Sequence, residues 1–388
     1  MDFLWLMGMG LGLVGVVVSA FIPGMHTNTL LVMIAPLLSV IPQEVSLCAI
    51  VALAIGQTVV DAIPALLFGV PDASLAVLPQ HKFLFRGQGY VAIQYLTLGA
   101  LLAGAMSILL LPLTIFVLYV LDAIPFVIIP IVIVVYAYAI CSDAHPFRSL
   151  LVVLAAMVLG WRVFSSGVAQ PLLVLLGGLF GLSSNVLSGF SKAKIPLQII
   201  PRRIFLLREH IWASAISCIS AMFFSAFPAV GNAHAMVVLD PLMEKFDKST
   251  SLVVAGGLNT ANVIGSLAAF VVLGKVRSGF AAALGSVGVG GWTDVVSWQL
   301  FFVLVCSILA SGVMSFVFGR FAMKRISRIP SRVLSAAVCV ILVCLAGFFS
   351  SWQGIFWLVV SGCLGVIAQL SDCRKMNLMA VMLSLILF

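Results

Sequence analysis

Charge is what this chain of 388 residues has least of: 8% of its residues are Asp, Glu, Lys or Arg, and only 12 are acidic. A water-soluble domain carries about 25% charged residues. No fold can cover an apolar fraction of 63% with so few polar groups. A cytosolic enzyme, a nucleic-acid-binding protein and a disordered or fibrous chain are thereby excluded. The eight cysteines lack CxxC or zinc-ligand spacing and read as small buried hydrophobes. There is no HExxH, no GxSxG and no phosphate-binding loop. A basic leader is missing too: the first twenty residues hold Asp2 and no Lys or Arg, and read as a retained helix rather than a cleaved signal peptide.

What is present is long apolar runs. A bilayer-spanning helix needs about 20 apolar residues. Charge-free windows of that order cover 3–43, 87–121, 123–142, 163–191, 249–274, 295–319 and 333–371. Several exceed one span, with candidate breaks at Pro112, at 288–291 and at 347–354. The expected fold is an all-α polytopic membrane protein of about ten to fourteen segments, some half-length. It forms a single integral membrane domain over 1–388. The net charge of +8 sits in short basic knots. The loops around 82–86, 143–148, 192–208 and 320–332 are expected on the cytoplasmic side, against anionic lipid.

A weak internal repeat divides the chain. Phe21-Ile22-Pro23-Gly24-Met25-His26-Thr27-Asn28-Thr29 runs on to Pro36. Ala226-Phe227-Pro228-Ala229-Val230-Gly231-Asn232-Ala233-His234 runs on to Pro241. Pro23 and Pro228 are 205 positions apart, as are Pro36 and Pro241. Gly56-Gln57-Thr58-Val59-Val60-Asp61 resembles Gly257-Leu258-Asn259-Thr260-Ala261-Asn262 at an offset of 201. The expectation is two weakly similar repeats, inverted relative to each other, each with a broken or re-entrant helix. They occupy 1–190 and 210–388, joined by a basic cytoplasmic linker at 191–209.

Proline removes an amide donor and clashes with the preceding turn. Pro23-Gly24 and Pro228 are therefore expected to end helices inside the bilayer, where freed backbone survives only against protein or a water-filled cavity. Helix N-terminal amides exposed there suit an anion. Paired interruptions in two halves point to a transporter site. The substrate-binding candidates are Pro23, Gly24, His26, Thr27, Asn28, Thr29, Pro228, Gly231, Asn232 and His234. Gln57, Thr58, Asp61, Asn259, Thr260 and Asn262 are ion-coupling candidates, because an acid and neutral oxygens at membrane depth line polar paths. The plainer alternatives stand beside these: proline kinks or an aqueous loop, histidines that only pack, and an Asp61 that only ends a helix at the interface.

These motifs resemble the TctA-like permease family, the membrane subunit of tripartite tricarboxylate transporters, in its shorter archaeal-type branch. Phe21 to Thr29 is similar to that branch's opening Pro-Gly-x-His-x-Asn-Thr. Asp61 to Pro64 with Phe68 to Pro71, Leu78 to His81, Arg86 to Tyr90, and Arg374-Lys375-Met376-Asn377 resemble later segments. The resemblance implies secondary transport of a di- or tricarboxylate driven by an ion gradient. It also implies a small membrane subunit and an extracytoplasmic binding protein as partners.

The functional expectation is thus an ion-gradient-driven secondary transporter of a small organic anion in the cell membrane, working by alternating access around two broken helices. It is not an enzyme. It needs no cofactor beyond a coupling Na+ or H+, contacts membrane lipid, binds no nucleic acid and is compatible with a homo-oligomer. The rival readings are an intramembrane enzyme built on His26, His234 or the acids, and a channel or structural membrane subunit.

Overall fold

The computed structural model describes residues 3–20, 30–31, 34, 37–67, 79–190, 195–201, 204–227, 230–243, 246–274, 279–289, 298–326 and 331–384. All described regular structure is helical. The first half contains α1 (Leu4–Ser19), α2 (Gln43–Val60), the short α3 (Ala62–Leu67) and α4 (Pro79–Phe85). It continues with α5 (Gly89–Leu109), α6 (Leu111–Ala123), α7 (Ile128–Cys141), α8 (Pro146–Phe164) and α9 (Pro171–Phe190). The second half holds α10 (Arg208–Phe224), α11 (Asn232–Met243), α12 (Lys248–Leu273) and α13 (Gly279–Ser286). It ends with α14 (Trp298–Ile326), α15 (Ser331–Leu370) and a 3-10 helix, Lys375–Leu383.

Among the described residues, seven helices are long and apolar enough to cross a membrane. The pair α6–α7, bent by 106°, makes an eighth if it is one span. This polytopic all-α architecture is the expected class. Pieces such as α11 and α13, too short to cross alone, lie among the longer helices.

Local chemistry sets the helix ends. Prolines open α8 and α9 at the position where a missing N–H is harmless. Asp247 caps α12 by accepting from the Ser249 amide, and Gly274 closes it in the left-handed conformation at φ 60°. The expected break near Pro112 is the α5–α6 junction at Leu110. The one expected at 347–354 falls at Ser350 and Ser351, whose dihedrals are non-helical. As one rod α15 would extend about 60 Å, twice the hydrocarbon thickness. Instead a Cβ on Gly347 would touch Ile355 at 3.2 Å, so the chain doubles back there.

The contacts along α14, a helix of 29 residues, fix the direction of the others. Trp5 in α1 packs edge-on against Trp298 and Phe302 at the start of α14, with ring centroids 5.6 and 5.3 Å apart. Gly56 of α2 abuts Ser311, at the middle of α14. Gly89, the first residue of α5, lies against Met323 near the far end, and Thr97 bonds Ser315 at 2.7 Å. Hence α5 runs against α14. The pair α1–α2 runs with it, side by side and parallel: Gly8 meets Val45, Gly12 meets Ala49 and Gly15 meets Leu53.

A second parallel pair, α10–α12, runs the other way. It starts where α5 starts, with Tyr95 stacked 5.0 Å from His210. His210 Nε2 bonds the Ser249 hydroxyl at 3.2 Å, Ser217 packs on Gly257, and Ser225 packs on Gly265. The closest helix contact in the core joins α5 to α12. A Cβ on Gly99 would land on the Val253 carbonyl, and one on Gly256 on the Leu96 carbonyl. Such small-residue crossings let membrane helices touch backbone to backbone.

The far end of α14 is a basic end. There the Ile199 amide donates to Gly87 O (2.7 Å), the Gly89 amide to Gln198 Oε1 (2.8 Å), and Gln198 Nε2 to Leu84 O (3.1 Å). Large apolar residues such as Val14, Phe116, Val158, Val313 and Phe348 are exposed around the bundle, as a lipid-facing surface requires.

Candidate functional site

Both middles, that of α12 and that of α14, fall in one layer, and α2 enters it from the other half of the chain. The Thr58 and Thr260 hydroxyls lie 3.1 Å apart, fully within the core. Thr58 sends its proton to Ile55 O at 2.7 Å, so Thr260 is the donor between the two helices. Ser311, buried against Gly56, has a hydroxyl with no hydrogen-bond partner among the described residues, and so has Ser307 one turn away.

A helix begins beside this layer. The helix α11 has 12 residues and is about 18 Å long, half a bilayer core. Its first residue is tied to the middle of α12 by Asn232 Nδ2 donating to Asn259 Oδ1 at 2.7 Å. From there α11 returns toward the start of α12, ending at Met243 just before the Asp247 cap. So α10 and α11 form a hairpin whose tip lies at the level of Asn259 to Gly265, part-way along a spanning helix. At that tip the His234 and Ala235 amides bond Gly231 O at 3.0 and 3.2 Å. The Asn232 and Ala233 amides remain as the outward donors of the helix start.

The other candidates divide. Asn259 and Asn262 are half-buried and three residues apart, on one side of α12. Ser251 and Ser266 are also half-buried there and extend the same stripe. Asp61 stands between α2 and α3, half-buried, about 4.5 Å beyond Thr58 along the helix axis. Among the described residues its carboxylate has no hydrogen-bond or ion-pair partner. Pro64 cannot donate, which leaves the Val60 carbonyl without its helical N–H. Gln57 is buried on α2.

His234 goes elsewhere. It is fully buried, its ring centroid is 4.7 Å from that of Tyr136 on α7, and its Nδ1 accepts the Gly231 amide at 3.3 Å. The proton therefore sits on Nε2, which is buried and has no hydrogen-bond partner among the described residues. Two residues separate His234 from Asn232, which turns it about 200° around the helix. Pro23, Gly24, His26, Thr27, Asn28, Thr29 and Pro228 lie outside the described residues.

Sequence reasoning missed the serines at 307, 311 and 315. Their spacing of four was the available signal, since it puts three hydroxyls on one face of α14. Two apolar recesses lie outside the layer. One of about 260 Å³ is lined by Ile128, Val132, Tyr136, Val153 and Leu383, and one of about 480 Å³ by Leu154, Val158, Trp357 and Leu364. Among the described residues, no three His, Cys, Asp or Glu side chains are grouped to hold a metal ion.

Chemically, the layer offers neutral hydroxyl and amide groups, a carboxylate without a partner among the described residues, and helix-start amides, all part-way along helices long enough to span a membrane. An uncharacterized protein of Methanocaldococcus jannaschii is 25% identical to this chain over 285 residues, covering 71% of the chain and 70% of the relative. No solved structure matches the chain. The model of the tripartite tricarboxylate transporter TctA family matches residues 6–380, nearly the whole length. With helices long and apolar enough to cross a membrane several times and a family model matched over almost all of its length, the chain belongs to the tripartite tricarboxylate transporter TctA family.

Proposed function

We propose that this protein is a secondary transporter that moves a small organic anion, a di- or tricarboxylate, by alternating access around two broken helices. One observation carries the reading. A helix start, Asn232, is bonded to Asn259 at the middle of a spanning helix, beside a hydroxyl pair contributed by both halves of the chain. The α11 amides with Asn232, Asn259 and Asn262 hold the anion. The motif from Pro23 to Thr29 supplies the matching half of the site. His234 orients the hairpin tip through Gly231.

Asp61, the Val60 carbonyl, Thr58 and Thr260, with Gln57 beside them, bind the coupling Na+ or H+. An oxygen-rich site of that kind suits a hard cation. Cation binding there offsets the negative charge of Asp61, which otherwise repels the anion, so the two bind together.

The two repeats are inverted in this reading. Supporting it, α1 ends at Ser19 and α10 at Phe224, while α2 starts at Gln43 and α12 at Lys248; both differences, 224 − 19 and 248 − 43, are 205. Each pair packs in parallel, and the two pairs run in opposite directions along α14. Rocking of one repeat against the other then changes which side the site faces. The basic end is cytoplasmic. A small membrane subunit and an extracytoplasmic binding protein assist, as the resemblance to the tripartite family implies.

The test is uptake of labelled citrate, succinate and related acids into proteoliposomes under imposed Na+ or H+ gradients. Accumulation that collapses with the gradient is expected. No carboxylate flux under either gradient refutes the proposal.

A further inference from the structure

A di- or tricarboxylate needs positive charge somewhere on its route, and the half-depth layer offers none among the described residues. Thr58, Thr260, Asn232, Asn259 and Asn262 are neutral, and Asp61 is an acid. The 3-10 helix Lys375–Leu383 links that layer to the basic end. Its Met379 methyl sits 3.7 Å from where a Gly231 Cβ would be, directly at the hairpin tip. Lys375 lies four residues earlier, about 8 Å down a 3-10 helix.

Arg374 and Lys375 open this helix with unequal partners. The Arg374 backbone amide donates to Asp143 at 2.9 Å, and its Nη2 lies 3.8 Å from the Asp240 carboxylate. Its Nη1 is buried and makes no hydrogen bond among the described residues. Lys375 Nζ donates to the neutral Ser184 hydroxyl at 2.9 Å, and no carboxylate among the described residues pairs with it. The nearby acids are engaged. Asp143 accepts from Ala144 N, Ser149 Oγ, Arg374 N and Asn377 Nδ2, and Asp240 faces Arg374.

Lys375 keeps solvent access, yet the protein around it strips enough water to lower its pKa to about 8. His81, the neighbouring base, is buried with Nε2 on Ala65 O at 3.2 Å, and Lys375 helps to keep it neutral. With one hydroxyl as its hydrogen-bond partner among the described residues, the Lys375 ammonium keeps donors open to an anion.

We infer that Arg374 and Lys375 form a second binding subsite, between the hairpin tip and the basic end, for the anionic oxygens of a soluble carboxylate or of a lipid phosphate headgroup. It rests on the transport reading only in naming the soluble anion. The subsite holds an anion by charge, outside the neutral layer, and so concentrates it at the mouth of that layer.

The test is acetylation of the full-length protein with acetic anhydride, which enters vesicles from both sides, read lysine by lysine by mass spectrometry. In phosphatidylcholine vesicles, citrate at ten times its dissociation constant slows acetylation of Lys375 about tenfold. Lys324, exposed on α14, stays within about twofold. Arg374→Gln weakens the protection while leaving Lys375 in place to be read. Protection by phosphatidylglycerol vesicles without citrate assigns the phosphate source, and protection by citrate alone assigns the carboxylate; either supports the subsite. An unchanged Lys375 rate in citrate and in phosphatidylglycerol overturns it. Protection is a binding readout, so it survives in Asn259→Ala even if that variant carries no flux. Conversely, a protein that transports citrate without protecting Lys375 refutes the subsite and leaves the transport reading intact.

Discussion

Replacing Thr260 by Val separates a structural hydroxyl from an ion ligand. The two side chains are nearly isosteric, so packing against Gly104 is retained. Thr58 keeps its own proton satisfied on Ile55 O at 2.7 Å. The structural loss is therefore one neutral bond between helices, 3.1 Å long, with no donor orphaned. Such bonds in a membrane protein contribute about 0.6 kcal/mol on average and at most about 1.7. A hydroxyl facing a charged partner is worth about 1.5–3 kcal/mol, a factor of ten or more in affinity. If Thr260 also faces the coupling ion, Thr260→Val raises the half-saturating Na+ or H+ concentration for uptake at least about tenfold, while thermal stability barely moves. The assay is initial uptake rate against ion concentration in proteoliposomes, paired with unfolding in detergent. A half-saturating concentration unchanged within about twofold, with any loss confined to stability, refutes an ion-binding role for the hydroxyl pair.

Three further outcomes follow from the packing and the charges. Gly256→Val drives a branched side chain into the Leu96 carbonyl and costs about 3 kcal/mol or more, seen as loss of folded protein on size exclusion; Gly104→Ala meets only the ends of Ile308 and Thr260 at 3.1 Å and is tolerated. Asp143→Ala removes the acceptor of four donors, two of which, Arg374 N and Asn377 Nδ2, join the α7–α8 loop to the last helix. It lowers stability by about 3 kcal/mol, whereas a melting temperature within a degree or so of wild type contradicts the clamp. Burial is the main cause that lowers the His81 pKa from 6.5 to about 4, so the folded protein prefers the neutral ring. That stability is fully present above pH 6.5 and is lost as pH falls toward 4, by at most about 2 kcal/mol at pH 5. His81→Gln flattens this part of the pH–melting curve; an unchanged slope refutes it.

The helix-and-break pattern was legible because it is written locally. Apolar length marks the spans, and the turns near Pro112 and within 347–354 carry their own breakers. Contacts between distant residues left no such mark. Asp143 meets Arg374 across 231 positions, and nothing in either local sequence announces the pairing. Asn232 and Asn259 belong to motifs assigned different tasks in the sequence, yet they share a hydrogen bond, which only the return of α11 along α12 explains. His234 shares its motif with Asn232, and helical geometry turns it toward Tyr136, which the motif alone does not show. Hydropathy alone does not tell a half-length piece such as α13 from a crossing helix, so the full crossings are read from the helices themselves. The direction of each helix pair was invisible for a related reason: it depends on which ends meet, as Trp5 with Trp298 and Tyr95 with His210 do.

The central claim is that a helix start faces a polar, substrate-accessible space at half-depth, and cysteine placed at Asn232 tests it most directly. In a background with the eight native cysteines replaced, Asn232→Cys in proteoliposomes should react with a small hydrophilic thiol reagent, slowly, and more slowly still when citrate is present. Paired with Asn259→Cys, it should also form a disulfide that stops uptake. Reaction as fast as at an exposed loop, indifferent to citrate and without cross-linking to position 259, would contradict the account.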